Sequence, residues 1–377
     1  MKRMTDKNRQ VINLGELPFC IGPMNIPKNP DGIPSTMNFK LKINHIYGTL
    51  EQDLGKDLKN LLSTGYRHGV PMGTPSDSSE LGDPYVQDFL SYISSKTLRK
   101  GKILEIGAGN GYLSKQLKLL GWETTSLEPG SGYSENWHKN NLDVINDFYP
   151  SPQVTGLFQA IVFYTVLEHI SKVEDFLRAV RDQLEENGQI FIAVPNCALE
   201  IQEVDPSMLI HEHISYFTKD SLQRMLNENG LDSEISESKY GRSLFATATI
   251  QKIKNKPKPI YYLDNMSHYL RNIEKNLEIS RNKIRKIENQ GTLGIFCPGR
   301  LINILPTDLN YFFFDDAIML HDKFFPPFLS PIQSRSAIQK LDVDSLIIGS
   351  RTFFSSIKSK LPEKPHMKVF GLDDIFS

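Results

Sequence analysis

The sequence predicts an α/β chain built around a mostly parallel sheet, with a smaller region before it and a second α/β unit after it. Three observations predict this. Between about residues 76 and 250, short apolar runs alternate with amphipathic stretches, the pattern of strands joined by crossover helices. The first apolar run, Ile103-Leu-Glu-Ile106, leads straight into Gly107-Ala-Gly-Asn-Gly111, a strand running into a glycine turn. The same alternation restarts at Gly291.

Residues 1–75 are rich in Pro, Gly and Asn, with short extended runs such as Lys40-Leu-Lys-Ile-Asn44, and read as a small irregular cap with little core of its own. The unit at 76–252 opens with a helix over Pro84 to Ser95. Strands follow at Ile103–Ile106, Thr124–Leu127, Val144-Ile145, Ala160–Tyr164 and Ile190–Val194, with a closing strand at Ser243–Ile250. Helices are expected over Tyr112–Leu120, over Val173–Glu186 before Gly188, and over Ser221–Glu228 before Gly230. Lys252-Ile-Lys-Asn-Lys-Pro-Lys-Pro259 reads as a basic linker leading into a 253–290 segment of linker and long helix. Tyr262 to Asn289 has helical periodicity, with Leu263, Met266, Leu270, Ile273, Leu277, Ile284 and Ile287 on one face; Arg271, Glu274, Lys275, Glu278 and Arg281 read as a solvated face. That helix packs either within the chain or against a second copy. In 291–377, strands are expected at Leu293–Cys297, Tyr311–Phe314, Ser345–Gly349 and Val369–Gly371.

At 377 residues the chain is long for one domain. A formal net charge of −1 gives no electrostatic case for a nucleic-acid or membrane partner. Cys20, Cys197 and Cys297 are far apart and odd in number, which points to a reducing compartment without a disulfide framework or Cys-based metal site. Met1-Lys-Arg-Met-Thr-Asp-Lys7 is polar and reads as no signal peptide, so a cytoplasmic location is expected.

The glycine turn carries the first chemistry. Glu105 precedes Gly107 by two residues, and Glu128 ends the next apolar segment, where an acid is placed to bond ribose hydroxyls. Glu105-x-Gly107-Ala108-Gly109-x-Gly111 with Glu128-Pro129 resembles the S-adenosylmethionine (SAM) site of class I methyltransferases. No Gly-Lys-Ser/Thr phosphate loop is present. By that resemblance Glu128 holds the ribose, Glu105 orients the turn or meets the methionine amine, Tyr164 joins the cofactor contacts, and Asp147 either lies near the adenine amine or is a plain loop carboxylate.

Two later segments face the acceptor. Tyr164-Thr-Val-Leu-Glu-His-Ile170 places Glu168 and His169 after the fourth strand, as proton acceptor or as a hydrogen-bonded loop brace. In Leu209-Ile-His-Glu-His-Ile-Ser-Tyr-Phe217, an extended backbone would project His211 and His213 to one face. A general base at His213 is expected, with Glu212 as its orienter; a lid that positions Tyr216 and Phe217 is the other reading. A zinc pair is not expected from two histidines alone.

Pro195-Asn196, His211-Glu-His-Ile-Ser-Tyr-Phe217 and Tyr240-Gly-Arg-Ser-Leu244 together resemble the SAM-dependent C-methyltransferases of nucleotide-deoxysugar biosynthesis. That resemblance implies a central class I methyltransferase Rossmann-like sheet, an N-terminal zinc-domain-like cap and a C-terminal Rossmann-like domain. Leu14-Gly-Glu-Leu-Pro-Phe19 is similar to the family's opening motif. Gly294, Gly299, Asp315, Asp316 and Lys323 are similar to its C-terminal pattern. The chain departs from the family in two places. Only Cys20 lies where the family has two zinc-binding Cys pairs, so no structural zinc is expected. Ile210 stands where the family has tyrosine. Asn196, Tyr216 and Arg242 join Glu168 and His169 as expected acceptor contacts. The resemblance implies methylation of a small polar acceptor, such as a nucleotide-linked sugar or surface-glycan precursor, on oxygen or carbon. A catalytically degenerate SAM-binding paralogue acting as scaffold or partner subunit stands as the alternative.

Overall fold

The computed structural model describes residues 11–20, 22–67, 82–97, 99–252 and 263–376. The polar Met1–Lys7 segment, the expected boundary at 75/76, nearly all of the basic linker and Tyr262 lie outside the described residues. Among the described residues the strands form three sheets.

The central sheet has seven strands: β4 (Lys102–Ile106), β5 (Glu123–Leu127), β6 (Val144–Ile145), β7 (Phe158–Tyr164), β8 (Leu184–Pro195), β10 (Leu231–Glu237) and β11 (Ser243–Ile250). Its order is β10-β11-β8-β7-β4-β5-β6. Strands β4 to β8 run parallel, whereas β11 is antiparallel to β8 and β10 to β11. Side chains alternate between the two faces of a strand. Leu104, Ile106, Ile161, Phe163, Ile190 and Ile192 therefore pack on one side, against helices α5 (Val173–Asp182) and α7 (Lys219–Glu228). Ile103, Ala160, Val162, Phe191 and Ala193 pack on the other, against α2 (Gly82–Lys96) and α3 (Tyr112–Leu119). Each fully buried Leu, Ile or Phe stabilises the fold by about 1.5–3 kcal/mol. Helix α7 starts with a reciprocal cap. Thr218 Oγ1 accepts from Ser221 N, and Ser221 Oγ accepts from Thr218 N.

Helix α5 stops at Asp182, short of the expected Glu186, and β8 begins at Leu184. Leu184 is buried and pairs with Phe158 across an irregular register, and Gln183 is held by Tyr149 and the Val154 carbonyl. That packing outweighs the helical look of the following Glu-Glu pair.

The N-terminal region is more regular than its composition suggests. β1 (Ile12–Pro18), β2 (Thr36–Asn44) and β3 (Thr49–Gln52) form an antiparallel sheet, joined by β9 (Ser215–Tyr216) from the central region. Helix α1 (Lys56–Arg67) closes over Phe19 and Ile33 through Leu58 and Leu62.

Past α4 (Ser134–Lys139) and α6 (Ala198–Glu203), the long helix α8 (Leu263–Glu288) buries Met266, Tyr269, Leu270, Ile273, Leu277, Ile284 and Ile287. They share one core with Leu14, Leu17, Phe39 and Leu41 of the cap and Ile295, Phe313 and Ile347 of the last sheet, so the apolar face packs within the chain. Arg281, expected in solvent, is half-buried and donates from Nε to the Ile304 carbonyl at 3.0 Å. The last sheet is parallel throughout, in the order β14 (Ile332–Gln333), β13 (Phe312–Phe314), β12 (Leu293–Phe296), β15 (Ser345–Ile348), β16 (Lys368–Phe370). Arg351 ties this sheet to the centre by bonding the fully buried Asp205 at 2.6 Å, and it also bonds Asp373 of its own unit at 2.6 Å. Among the described residues no helix is long and apolar enough to cross a membrane.

Candidate active site

Ligands of open parallel sheets bind outside the carboxyl ends of the strands. Here those ends from both parallel sheets, together with the cap, line one cleft of about 1050 Å³. The central sheet contributes Glu105, Gly107, Ala108, Gly109, Glu128, Pro129, Tyr164, Glu168 and His169; the last sheet contributes Cys297, Gly299, Asp315, Gly349 and Arg351; the cap contributes Cys20 and Tyr66.

The glycine turn is fixed by the neighbouring strand. Gly107 N and Ala108 N donate to the Leu127 carbonyl at 2.8 and 3.0 Å. Gly107 has φ +76°, and an added Cβ would lie 2.5 Å from Val166 Cγ2. Gly109 has φ +52° and open space where a Cβ would stand. Gly111 does not line the cleft. It has φ +84°, and its missing Cβ leaves room for Leu142 Cδ1, so it serves packing beneath the turn.

Glu128 accepts from Gly109 N and Gly130 N, each at 2.8 Å, one on each carboxylate oxygen. Burial pushes its pKa up against those two bonds. Each oxygen keeps a lone pair for a hydroxyl donor. Glu105 is buried behind the turn and accepts from Ser114, which in turn meets Ser126 at 2.6 Å. Burial raises its pKa to about 8, against the Ser114 bond. Asp147 is a correction: it does not line the cleft, and its carboxylate accepts from Ser151 Oγ and Phe148 N to hold its own turn. Phe148, Tyr149 and Pro150 line the cleft at that point.

The acceptor side differs more from expectation. His213 N donates to the Ile210 carbonyl at 3.0 Å, so the backbone turns and the two histidines diverge. His211 is 1% exposed, lies between the rings of Phe19 (5.0 Å) and Phe39 (4.9 Å), and does not reach the cleft. Burial lowers its pKa to about 4, against a smaller pull from the Leu17 backbone. Glu212 and His213 do line the cleft. Burial alone pushes the Glu212 carboxyl to about 8.

Tyr216 is fully buried in β9, its hydroxyl donating to the Ile210 carbonyl, and Asn196 ties the Gly241 and Arg242 carbonyls to the chain. Neither lines the cleft, which corrects their expected contact with the acceptor. Arg242 does line it, paired with Glu200 at 3.1 Å.

Tyr66, which sequence reasoning missed, reaches His169 Nδ1 at 3.0 Å, and the same nitrogen lies 3.0 Å from the Glu212 carbonyl. Thr165, also missed, holds a left-handed φ of +53° at the end of β7, a strained conformation of the kind that clusters at functional sites.

The family model of a methyltransferase domain matches residues 80–234. This part of the chain is a class I, SAM-dependent methyltransferase domain. The chain is similar to the mitochondrial ubiquinone biosynthesis O-methyltransferase of Mus musculus, 26% identical over 186 residues, which cover 41% of this chain and 49% of that protein. It is similar to the ubiquinone biosynthesis O-methyltransferase of Pelagibacter ubique, 29% identical over 121 residues, covering 30% of this chain and 50% of that protein. The chain thus spans about half the length of these curated relatives. Among solved structures, a glycopeptide N-methyltransferase, MtfA, with SAM bound aligns with a TM-score of 0.38 at 14% identity, covering 48% of this chain and all of that one. A DhpI–SAM–HEP complex aligns at 0.41 and 17% identity, covering 52% of this chain and 99% of that one.

SAM is the cofactor of this domain, and the cleft fits it. The turn at Gly107–Gly109 leaves the backbone bare beside open space, and Glu128 is fixed at the end of β5 with capacity to accept from ribose hydroxyls.

Proposed function

We propose that the protein methylates a hydroxyl oxygen of a small polar acceptor held in the cleft between the cap and the two parallel sheets. The observation that supports it most is the meeting of two sets of residues in that cleft: the Gly107–Glu128 edge on one side, and Glu168, His169, Glu212 and His213 on the other. SAM supplies a methyl group activated by the sulfonium, whose S–C bond breaks as the O–C bond forms and a neutral thioether remains. The chain's residues position the partners and take one proton. Gly107, Ala108 and Gly109 would lie along the cofactor, Glu128 would hold the ribose, and Pro129 and Tyr164 would flank it.

Glu212 is the base in this reading. Its carboxyl, pushed to about 8, is matched to taking a proton near neutral pH. This replaces the expected arrangement of His213 as base and Glu212 as orienter. His213 and His169 instead present imidazoles to the acceptor, their ring centroids 4.9 Å apart. Arg242, already paired with Glu200, is left to orient polar groups of the acceptor.

The named relatives favour oxygen over carbon. For the acceptor, the sequence resemblance favours a nucleotide-linked sugar or glycan precursor, and the relatives' names favour an intermediate of ubiquinone biosynthesis. A transfer assay with methyl-labelled SAM, run over nucleotide sugars, glycan phosphates and hydroxylated aromatics, tests the reading. Label on the oxygen of at least one acceptor is the expected result. Absence of transfer to every class would overturn it in favour of the degenerate scaffold.

A further inference from the structure

We propose that Glu168, His169 and His213 form a binding site for a divalent transition-metal ion, with open coordination positions facing the acceptor space of the cleft. One ligand atom from each residue lies within 4.8 Å of the other two. Two imidazoles and a carboxylate on one side of an ion are the donor set of catalytic zinc sites and of facial-triad iron sites.

The convergence is built by the backbone. Ile214 N donates to the Glu168 carbonyl at 2.7 Å, stitching the loop after β7 to the turn before β9. The imidazole of His213 is thereby brought beside that of His169. The partner of His213 is not its sequence neighbour His211, which faces the cap core.

The tautomer of His169 follows from its contacts. A carbonyl only accepts, so Nδ1 carries the hydrogen that it shares between the Glu212 carbonyl and the Tyr66 hydroxyl, both at 3.0 Å. Nε2 is then a bare lone pair, and it lies 3.9 Å from a carboxylate oxygen of the buried Glu168. Fixing a ligand imidazole through its other nitrogen is the usual second layer of a metal site, and Tyr66 with the Glu212 carbonyl supplies it.

With metal–ligand bonds of about 2.1 Å, tetrahedral ligand atoms stand about 3.4 Å apart. The three side chains therefore draw in by up to about an ångström on binding. The ion's remaining positions would take acceptor oxygens and lower their pKa, easing proton loss to Glu212. That last role rests on the methyl-transfer reading; the binding of the ion does not.

The test uses the full-length protein stripped with chelator and titrated calorimetrically with zinc chloride, and the same samples titrated with S-adenosylhomocysteine. Equimolar zinc binding is expected. Glu168→Gln and His213→Gln should each weaken it by at least about 100-fold, and Tyr66→Phe by about 10-fold through a loosened His169. Cobalt(II) in place of zinc should give ligand-field bands without thiolate charge transfer. Failure of wild-type protein to bind zinc, or equal affinity in wild type and in a Glu168→Gln, His213→Gln double variant, overturns the site. S-adenosylhomocysteine binding without zinc binding would overturn the metal site alone. Zinc binding without it would support the metal site and count against the methyl-transfer reading.

Discussion

The turn at 107–111 and the turn at 210–213 face the same cleft from opposite sides, and they are held in opposite ways. The first is fixed locally. Its amides bond Leu127 and Glu128 on the adjacent strand, and its glycines meet side chains such as Val166 and Leu142 close by. The second is fixed by distant parts of the chain. Gln52 of the cap donates to the His211 and His213 carbonyls at 2.7 and 3.1 Å, Phe19 and Phe39 hold the His211 ring, and His169 bonds the Glu212 carbonyl. A locally held site announces its chemistry in sequence. A site assembled from remote pieces shows its residue types but hides which way they point.

The largest effect expected is at the assembled turn. Glu212→Gln keeps the shape of the side chain and removes the base. Turnover should fall by about 10²–10⁴-fold while S-adenosylhomocysteine affinity is unchanged, as steady-state kinetics beside calorimetry would show. In wild type, kcat/KM should rise with pH through about 8 as Glu212 ionises, a limb that the variant should lack. A variant with full turnover would remove Glu212 from the chemistry.

The local turn answers to Gly107→Ala. The new Cβ meets Val166 at 2.5 Å in a left-handed backbone. Strain and overpacking together should cost about 2–5 kcal/mol in urea denaturation and abolish cofactor binding. Retained cofactor affinity in this variant would mean the turn is not the cradle.

How far each half was legible follows from the same contrast. The strands at β4, β5 and β7, Glu105 and Glu128 stand where their local pattern put them. Helix α5 was overextended because Glu185 and Glu186 keep a helical pattern, while the pairing of Leu184 with Phe158 is a tertiary fact. Tyr66 was invisible as a site residue: it is one aromatic near the end of α1, 103 residues from the His169 it bonds. Tyr216, Asn196, Asp147 and His211 were of suitable chemistry, but their directions are set by β9, by the Gly241–Arg242 loop, by Ser151 and by the cap. The cap itself looked irregular because its sheet is completed by β9, more than 150 residues on.

A third effect separates His211 from the chemistry. Its folded pKa of about 4 lies below its ordinary 6.5, so the folded state holds the neutral ring. The stability this gives is present above pH 6.5 and is lost as the pH falls towards 4. His169, also near 4, behaves in the same sense. His211→Leu should therefore flatten the acid side of the stability curve and leave turnover unchanged. A loss of turnover with intact folding would restore His211 to the mechanism.

The smallest effect on stability is expected at Gly109→Ala. No atom lies within 4 Å of the added Cβ, so only the backbone strain of about 1–2 kcal/mol remains. Cofactor affinity should nonetheless drop, because the methyl group enters space the ligand needs.

The account stands most directly on calorimetric titration of the full-length protein with S-adenosylhomocysteine. It predicts saturable, equimolar binding that Glu128→Ala weakens severely. No detectable heat at millimolar ligand, or binding that is indifferent to Glu128, would contradict it.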